Sequence, residues 1–327
     1  MLAFFSSNHR PLYKESIYHA LSYPNGHVIH LRYKEQWLHR DVLNKLDYYK
    51  KHRTECVLFF YEKNNQTFHS IRMAKIIDYK ISDVTKQYHF YIELDNFIDK
   101  KIDLTKDQGK SPINTIYFSD LDLINGSKNE WFERIDDLKA EFSNLPFFNI
   151  NGFYIKGKKE YIRSKFKNYE SFYELRDNTD YIIKLSLYNT SSNDETYEYT
   201  RDLTDPNLIF VNEPSKILVS GSLDDREITL KTNTLESSSL YSYVTYTSTA
   251  KDESVRYSVP LQFKIKRNRT KSLYFGLLST ITASCIGVLN YFTKFNYILV
   301  CHRWIIAIVI FSLLLSIAEL FRVFNKK

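Results

Sequence analysis

Cysteine and glycine are scarce in this chain of 327 residues, which holds 3 Cys, 8 Gly and 7 Pro. Three cysteines, Cys56, Cys285 and Cys301, cannot build a disulfide framework, so a stapled secreted fold is excluded and a reducing compartment is expected for the main body. Eight glycines leave little material for a phosphate-cradling loop, and no G-x-G-x-x-G, P-loop or nucleophile-elbow pattern occurs. Eight of the nine histidines precede residue 90, yet no C-x-x-C, H-E-x-x-H or helical His pair accompanies them. No metal and no cofactor is therefore expected. His27 and His30 are three apart on an expected strand and so face opposite sides. Cys56, inside the apolar run CVLFFYE, reads as a core residue rather than a nucleophile. The acid pairs Asp120/Asp122 and Asp224/Asp225 read as turn and cap residues, and no catalytic residue is assigned.

What is plentiful is aromatic. Phe, Trp and Tyr make up 16% of the chain, with 26 Tyr and 23 Phe, and such richness favours strands. Hydrophobic residues at 43% and charged residues at 25% exclude a disordered or fibrous chain. The net charge of +7 is unevenly placed. From Lys264 onward there are ten basic residues and one acid, Glu319, so that stretch carries +9 and residues 1–263 carry −2. The N-terminal apolar run is too short for a signal h-region, so the first ~260 residues are expected to stay in the cytosol.

Residues 273–292 contain no charge and would span roughly 30 Å as a helix. Residues 304–321 hold twelve Ile, Val, Leu and Phe, worth roughly −4 to −7 kcal/mol on an insertion scale. The two segments predict a transmembrane hairpin. Eight basic residues flank its outer ends and two lie in the connection, so both ends are expected on the cytoplasmic side of the inner (plasma) membrane. Lys264, Lys266, Arg267, Arg269 and Lys271 form a collar that would meet anionic headgroups. Gly276, Thr280, Ala283 and Gly287 fall on one helical face and would let helices approach closely. Ser312, Ser316 and Glu319 form a polar stripe, either paired to Arg322 at the interface or lining a seam between copies.

The body reads as mainly β. Residues 1–105 predict an α+β, barrel-like unit: a strand over 26–33, a helix over ~35–50 with the stripe Leu38, Val42, Leu46 and Tyr49, then strands at 56–62, 67–79 and 86–94. A turn is expected at KNNQ (63–66). Residues 106–150 read as a connector with a helix near 129–142. Residues 151–266 read as a β-sandwich of immunoglobulin-like architecture, from strands spaced roughly 8–12 residues apart. Residues 267–327 form the collar and hairpin.

Two basic stretches are candidate binding surfaces. His69 and Arg72 lie near one another on a predicted strand, and His30 and Arg32 sit in HLRYKEQWLHR, where basic and aromatic residues interleave; such side chains bind anions or nucleotides by charge and stacking. The run 154–167, if helical, would lie on anionic lipid.

The layout, cytosolic β domains tied to a two-helix hairpin, resembles that of bacterial membrane-anchored sensors and effectors, some of them in antiphage defence. Together these features predict a non-enzymatic membrane sensor or effector that binds an unidentified cytosolic ligand or protein and acts through homo-oligomeric assembly of its hairpins. The alternatives are a passive anchor for a nucleotide- or nucleic-acid-binding barrel, nucleic acid being the less favoured partner, and an enzyme with an interdomain site.

Overall fold

The runs of Tyr, Phe, Ile and Val form strands in the computed structural model, which describes residues 2–7, 11–62, 67–99, 116–118, 127–128, 130–138, 146–189, 197–203, 205–211, 216–219, 223–233, 235, 239–249 and 256–268. The two predicted membrane segments lie outside the described residues. So do Gly276, Thr280, Ala283, Gly287, Ser312, Ser316, Glu319, Arg269 and Lys271, and the expected turn at 63–66.

The chain begins with β1 (Leu2–Ser7), helix α1 (Pro11–Ser22) and β2 (Val28–Lys34). Short helices α2 (Arg40–Asn44) and α3 (Leu46–His52) lead into β3 (Glu55–Glu62), β4 (Thr67–Ile81) and β5 (Gln87–Asp99). Then come β6 (Ile116–Phe118), β7 (Ser127–Lys128) and α4 (Trp131–Leu138). The seven strands form one mixed sheet in the order β2-β5-β4-β3-β1-β6, with β7 on β5; β1 and β3 run parallel and the other pairs antiparallel. Cys56, Val57, Leu58, Phe59 and Phe60 of β3 are all buried, as a central strand covered on both faces requires. Leu38, Val42, Leu46 and Tyr49 are buried too, although their stretch is split into a 3-10 turn and two helices rather than one.

The rest of the chain is nearly all strand: β8 (Pro146–Ile155), β9 (Ser164–Lys167), β10 (Glu170–Arg176), β11 (Asp180–Asn189), β12 (Tyr197–Leu203), β13 (Leu208–Val211), β14 (Lys216–Val219), β15 (Leu223–Thr232), β16 (Ser239–Thr249) and β17 (Arg256–Lys266). They make a six-stranded sheet, β14-β12-β16-β17-β10-β9, and a four-stranded sheet, β13-β15-β11-β8. The described fold is thus mainly β, with several sheets and few helices, consistent with a β-sandwich. Along β17 buried Tyr257, Val259, Leu261, Phe263 and Ile265 alternate with more exposed residues, the period of two that one covered face imposes. The basic run 154–167 is not helical. It leaves β8, turns, and returns as β9, which pairs with β10 from Ser164↔Tyr173 to Lys167↔Glu170.

The described residues divide into two compact units: those within 1–174, 179–231 and 241–264 in one, and those within 175–178, 232–240 and 265–268 in the other. Within the second, buried Asp177 is a clasp. Its carboxylate accepts from the backbone N–H of Leu235 (3.0 Å) and Asn268 (2.6 Å), and its own N–H donates to Lys266 O (2.8 Å).

Within the first unit, α1 is the keystone. Pro11 stands at its first position, where a missing N–H costs nothing, and Pro24 lies just past its end. Tyr18 stacks on Tyr257 with centroids 4.8 Å apart, packs against Phe147 and Phe148, and donates to Ser248 Oγ (2.5 Å). His19 Nε2 lies 2.8 Å from Ser258 O, and Tyr23 donates to Pro260 O (2.7 Å). His27 stacks on Tyr23 at 3.8 Å and is hydrogen-bonded to Tyr173 Oη (2.9 Å). Burial, with His19 and Arg72 nearby, pushes the His27 pKa down to about 3. The imidazole is neutral inside this seam of rings.

Candidate functional site

The turn that follows α1 has a second side, and there the chain leaves space. A cleft of about 780 Å³ opens between the mixed sheet and the four-stranded sheet. It falls within the size range of ligand sites. Its walls carry Arg53, Lys75 and Arg163 against Glu93, Asp95 and Glu130, with the rings of Phe97, Trp131, Tyr154 and Tyr161.

Arg72 of β4 stands behind one wall. Its pairing register shifts beside both neighbouring strands, at Leu58/Phe59 toward β3 and at Arg72/Ala74 toward β5. Such irregularities re-aim a side chain, and this one is only 1% exposed. It donates from Nε to Asp95 O (2.5 Å), from Nη1 to Ala20 O and Tyr23 O (both 2.7 Å), and from Nη2 to Asn25 Oδ1. The guanidinium lies over the Phe97 ring, 4.2 Å from its centroid. Burial pulls its pKa down to about 9, while Asp95 acts in the opposite direction. Arg72 is therefore buried rather than presented on a surface. It is a strut that closes the carbonyl end of α1 and holds the Pro24-Asn25-Gly26 turn at the mouth of the cleft.

That turn is fixed from the other side as well. Tyr161 donates to Asn25 O (2.8 Å), and Asn25 Nδ2 donates to Asn96 Oδ1 (2.9 Å). Gly26 has φ +81°, and a Cβ there would stand 3.3 Å from Tyr161 Oη, so glycine answers both demands.

The floor is a polar ladder on the four-stranded sheet. Asn149 Nδ2 donates to Asn151 Oδ1 (3.0 Å), Asn151 Nδ2 to Ser186 Oγ (2.6 Å), and Ser186 Oγ to Asp225 Oδ1 (2.5 Å). The β8–β11 register shifts between Lys184 and Leu185, and Asn151 is the extra residue. The ladder continues into a second cavity of about 560 Å³ that shares Glu130, Trp131 and Asn151 with the first.

Helix α4 covers one end. The Glu130 N–H is capped by Glu133 Oε2 (3.0 Å), the reach-back half of a capping box. Arg134 Nη1 donates to Ser70 O (3.3 Å), and Tyr188 donates to Asp136 Oδ1 (2.7 Å), so the helix is tied to both β4 and β11. Trp131 is thereby held against the cleft, and its ring meets Tyr188 edge-on at 6.3 Å.

The four residues expected to bind a ligand are not brought together. Arg72 lines the cleft, whereas His69, beside Phe60, does not. His30 and Arg32 lie exposed on β2, away from it. His30 Nε2 is 2.8 Å from His89 Nδ1, and the rings stack with centroids 4.9 Å apart. Partial desolvation, then His89 and Arg32, lowers the His30 pKa to about 4. Among the described residues no histidine lines the cleft, and no three His, Cys, Asp or Glu side chains are placed to hold a metal. Asn149, Asn151 and Tyr161 escaped the sequence, since nothing local marks them. The Pro11 and Pro24 bracket around α1, followed by Asn25-Gly26, was a readable signal for the helix and turn.

Comparison with known proteins adds little. No family model matches the chain, and no curated protein does. Among solved structures, a FixG-related protein from Vibrio parahaemolyticus is 14% identical, covering 28% of this chain and 81% of its own, at a TM-score of 0.21. The cupredoxin domain of amoB from Nitrosocaldus yellowstonii is 9% identical, covering 27% and 55%, at 0.19. E. coli alpha-2-macroglobulin is 9% identical, covering 62% of this chain and 10% of its own, at 0.22. Scores this low carry neither a fold nor a function across.

Proposed function

We propose that the protein is a two-pass inner (plasma) membrane sensor or effector, non-enzymatic, whose β-rich body binds a ligand in the polar cleft and acts through assembly of its C-terminal hairpins. The observation that carries this reading is the pair of apolar segments, 273–292 and 304–321, with eight basic residues at their outer ends and two between them. Both ends then face the cytoplasm, where three cysteines and no disulfide framework belong. Lys264, Lys266, Arg267, Arg269 and Lys271 meet anionic headgroups. Gly276, Thr280, Ala283 and Gly287 let hairpins pack closely, and Ser312, Ser316 and Glu319 face the seam between copies. The same reading takes the six- and four-stranded sheets as the layers of an immunoglobulin-like sandwich. A layout of this kind suits a bacterial membrane effector, including one in antiphage defence.

Two experiments test it. After gentle lysis the intact chain should sediment with membranes and resist an alkaline carbonate wash; recovery as a monodisperse protein without detergent would end the proposal. Gly276→Leu with Gly287→Leu should abolish higher-order assembly in detergent, and an unchanged oligomer size would remove the assembly step. A second reading, a passive anchor for a nucleotide-binding body, is favoured by Arg53 and Arg163 at the cleft, which have no carboxylate partner among the described residues. Replacing the hairpin with an unrelated two-pass segment separates them, because only an anchor would keep full function.

A further inference from the structure

We infer that the cleft is a nucleotide site, with Asn149 and Trp131 meeting the edge of a base and Arg53 and Arg163 meeting phosphate. The inference rests on the cleft being the ligand site. Two buried atoms carry it. Asn149 is 6% exposed and spends its Nδ2 on Asn151, yet its Oδ1 has no hydrogen-bond partner. Trp131 is 7% exposed, and its Nε1–H has none either. Buried polar atoms are paired in nearly every native structure, and an orphan calls for an explanation. Of the buried side-chain atoms without a partner among the described residues, two, one acceptor and one donor, belong to residues that line this one cleft. A ligand that offers a donor and an acceptor on one edge satisfies both.

A nucleobase has such an edge, and it is flat. The flatness fits the rings of Tyr154 and Tyr161, which line the cleft with centroids 6.3 Å apart. Bases stack on such rings whatever their identity. Charge selects the phosphorylated form. Lys75 is engaged with Asp95 (3.8 Å), and Arg72 is spent on Asn25 and backbone carbonyls. Arg53 and Arg163 have no carboxylate partner among the described residues, and Arg163 lies over the Tyr161 ring at 5.9 Å. A fork of donors left open in this way suits a phosphate. A free sugar would leave the arginines unused, and a sugar phosphate would leave Asn149 and Trp131 without a planar edge to meet.

The test uses the full-length protein in detergent, titrated calorimetrically with the four ribonucleoside 5′-monophosphates, their nucleosides and ribose 5-phosphate. At least one nucleotide should bind, with its nucleoside and ribose 5-phosphate weaker by tenfold or more. Asn149→Ala and Trp131→Phe should each weaken the nucleotide about tenfold. Arg163→Gln, at an exposed position that tolerates change, should weaken the nucleotide and leave the nucleoside unaltered. Melting curves and circular dichroism confirm that each variant folds, and Arg163→Gln keeps the test decisive if the two buried changes do not. Ribose 5-phosphate binding as tightly as any nucleotide would overturn the nucleotide assignment while leaving the cleft a ligand site. Nucleotide binding that survives all three substitutions would overturn the placement. Absence of binding by every probe at millimolar concentration would overturn both.

Discussion

The two sides of residues 17–28 differ in one respect that decides their roles. On the seam side Tyr18, His19, Tyr23 and His27 each find a hydrogen-bond partner and a ring to lie against. On the cleft side Asn149 and Trp131 are buried too, but each leaves a polar atom without a partner. Buried polar atoms without a partner also occur elsewhere, at Ser22 and Ser242 among others, but the cleft holds two of them in its lining, whereas the four seam residues each have a partner. Desolvation is offset in the first set by internal bonds, and in the second the proposed ligand would offset it.

The comparison is broken most severely at Arg72, which serves both sides. Arg72→Met leaves three backbone carbonyls and Asn25 Oδ1 without their donor. A loss of about 3–5 kcal/mol in unfolding free energy, read from urea titrations, is expected, with Arg72→Lys recovering less than half because it cannot reach several acceptors at once. A loss under about 1 kcal/mol would mean that the strut carries nothing.

Acid comes next. His27 has its pKa lowered in the fold to about 3 from an ordinary 6.5, so the unfolded chain binds the proton first as pH drops. Its contribution is complete above about pH 6.5 and is lost progressively toward pH 3. By pH 4 the loss from His27 is on the order of 3 kcal/mol. His19 shifts in the same direction through burial. Thermal melts from pH 7 to 4 should show this slope, and His27→Gln should flatten it; parallel profiles for the two proteins would refute a neutral buried imidazole.

Tyr18→Phe removes one bond inside the seam and strands Ser248, which is fully buried. About 1–2 kcal/mol should be lost on denaturant unfolding. Trp131→Phe gives the smallest effect. It deletes an N–H that has no partner, so stability should change by less than about 1 kcal/mol or rise slightly. If Trp131→Phe proved the more destabilising of the two, the distinction between seam and cleft would fail.

Periodicity was a sound guide wherever one face of an element decides its fate. Ile29, Leu31 and Tyr33 of β2 are buried while His30 and Arg32 stay exposed, as alternation required. Cys56 lies in the core of β3, as its apolar neighbours implied. The misreadings have local causes. β1 is not legible in the sequence because six residues, LAFFSS, carry no alternation of their own; its identity comes from parallel pairing with β3, from Leu2↔Cys56 to Ser7↔Tyr61. The run 154–167 is rich in Lys and Arg, which helices tolerate, but its register with β10 and the Tyr154–Tyr161 bridge hold it extended. Strand alternation places Arg72 on a surface because it takes no account of the irregular pairing that turns the side chain inward.

By composition and spacing alone the chain determined that it would be strand-rich, that Cys56 would be buried, and that its positive charge would gather beyond residue 263, since these depend on residue type and near neighbours. Which polar side chains lose water together was settled only when β8, β11, α4 and the turn after α1 came to face one another. Asn149, Trp131, Tyr161 and Arg163 are chemically ordinary in sequence. They come to line one cleft because tertiary packing decides where desolvation falls, and desolvation is what makes an unmade hydrogen bond matter.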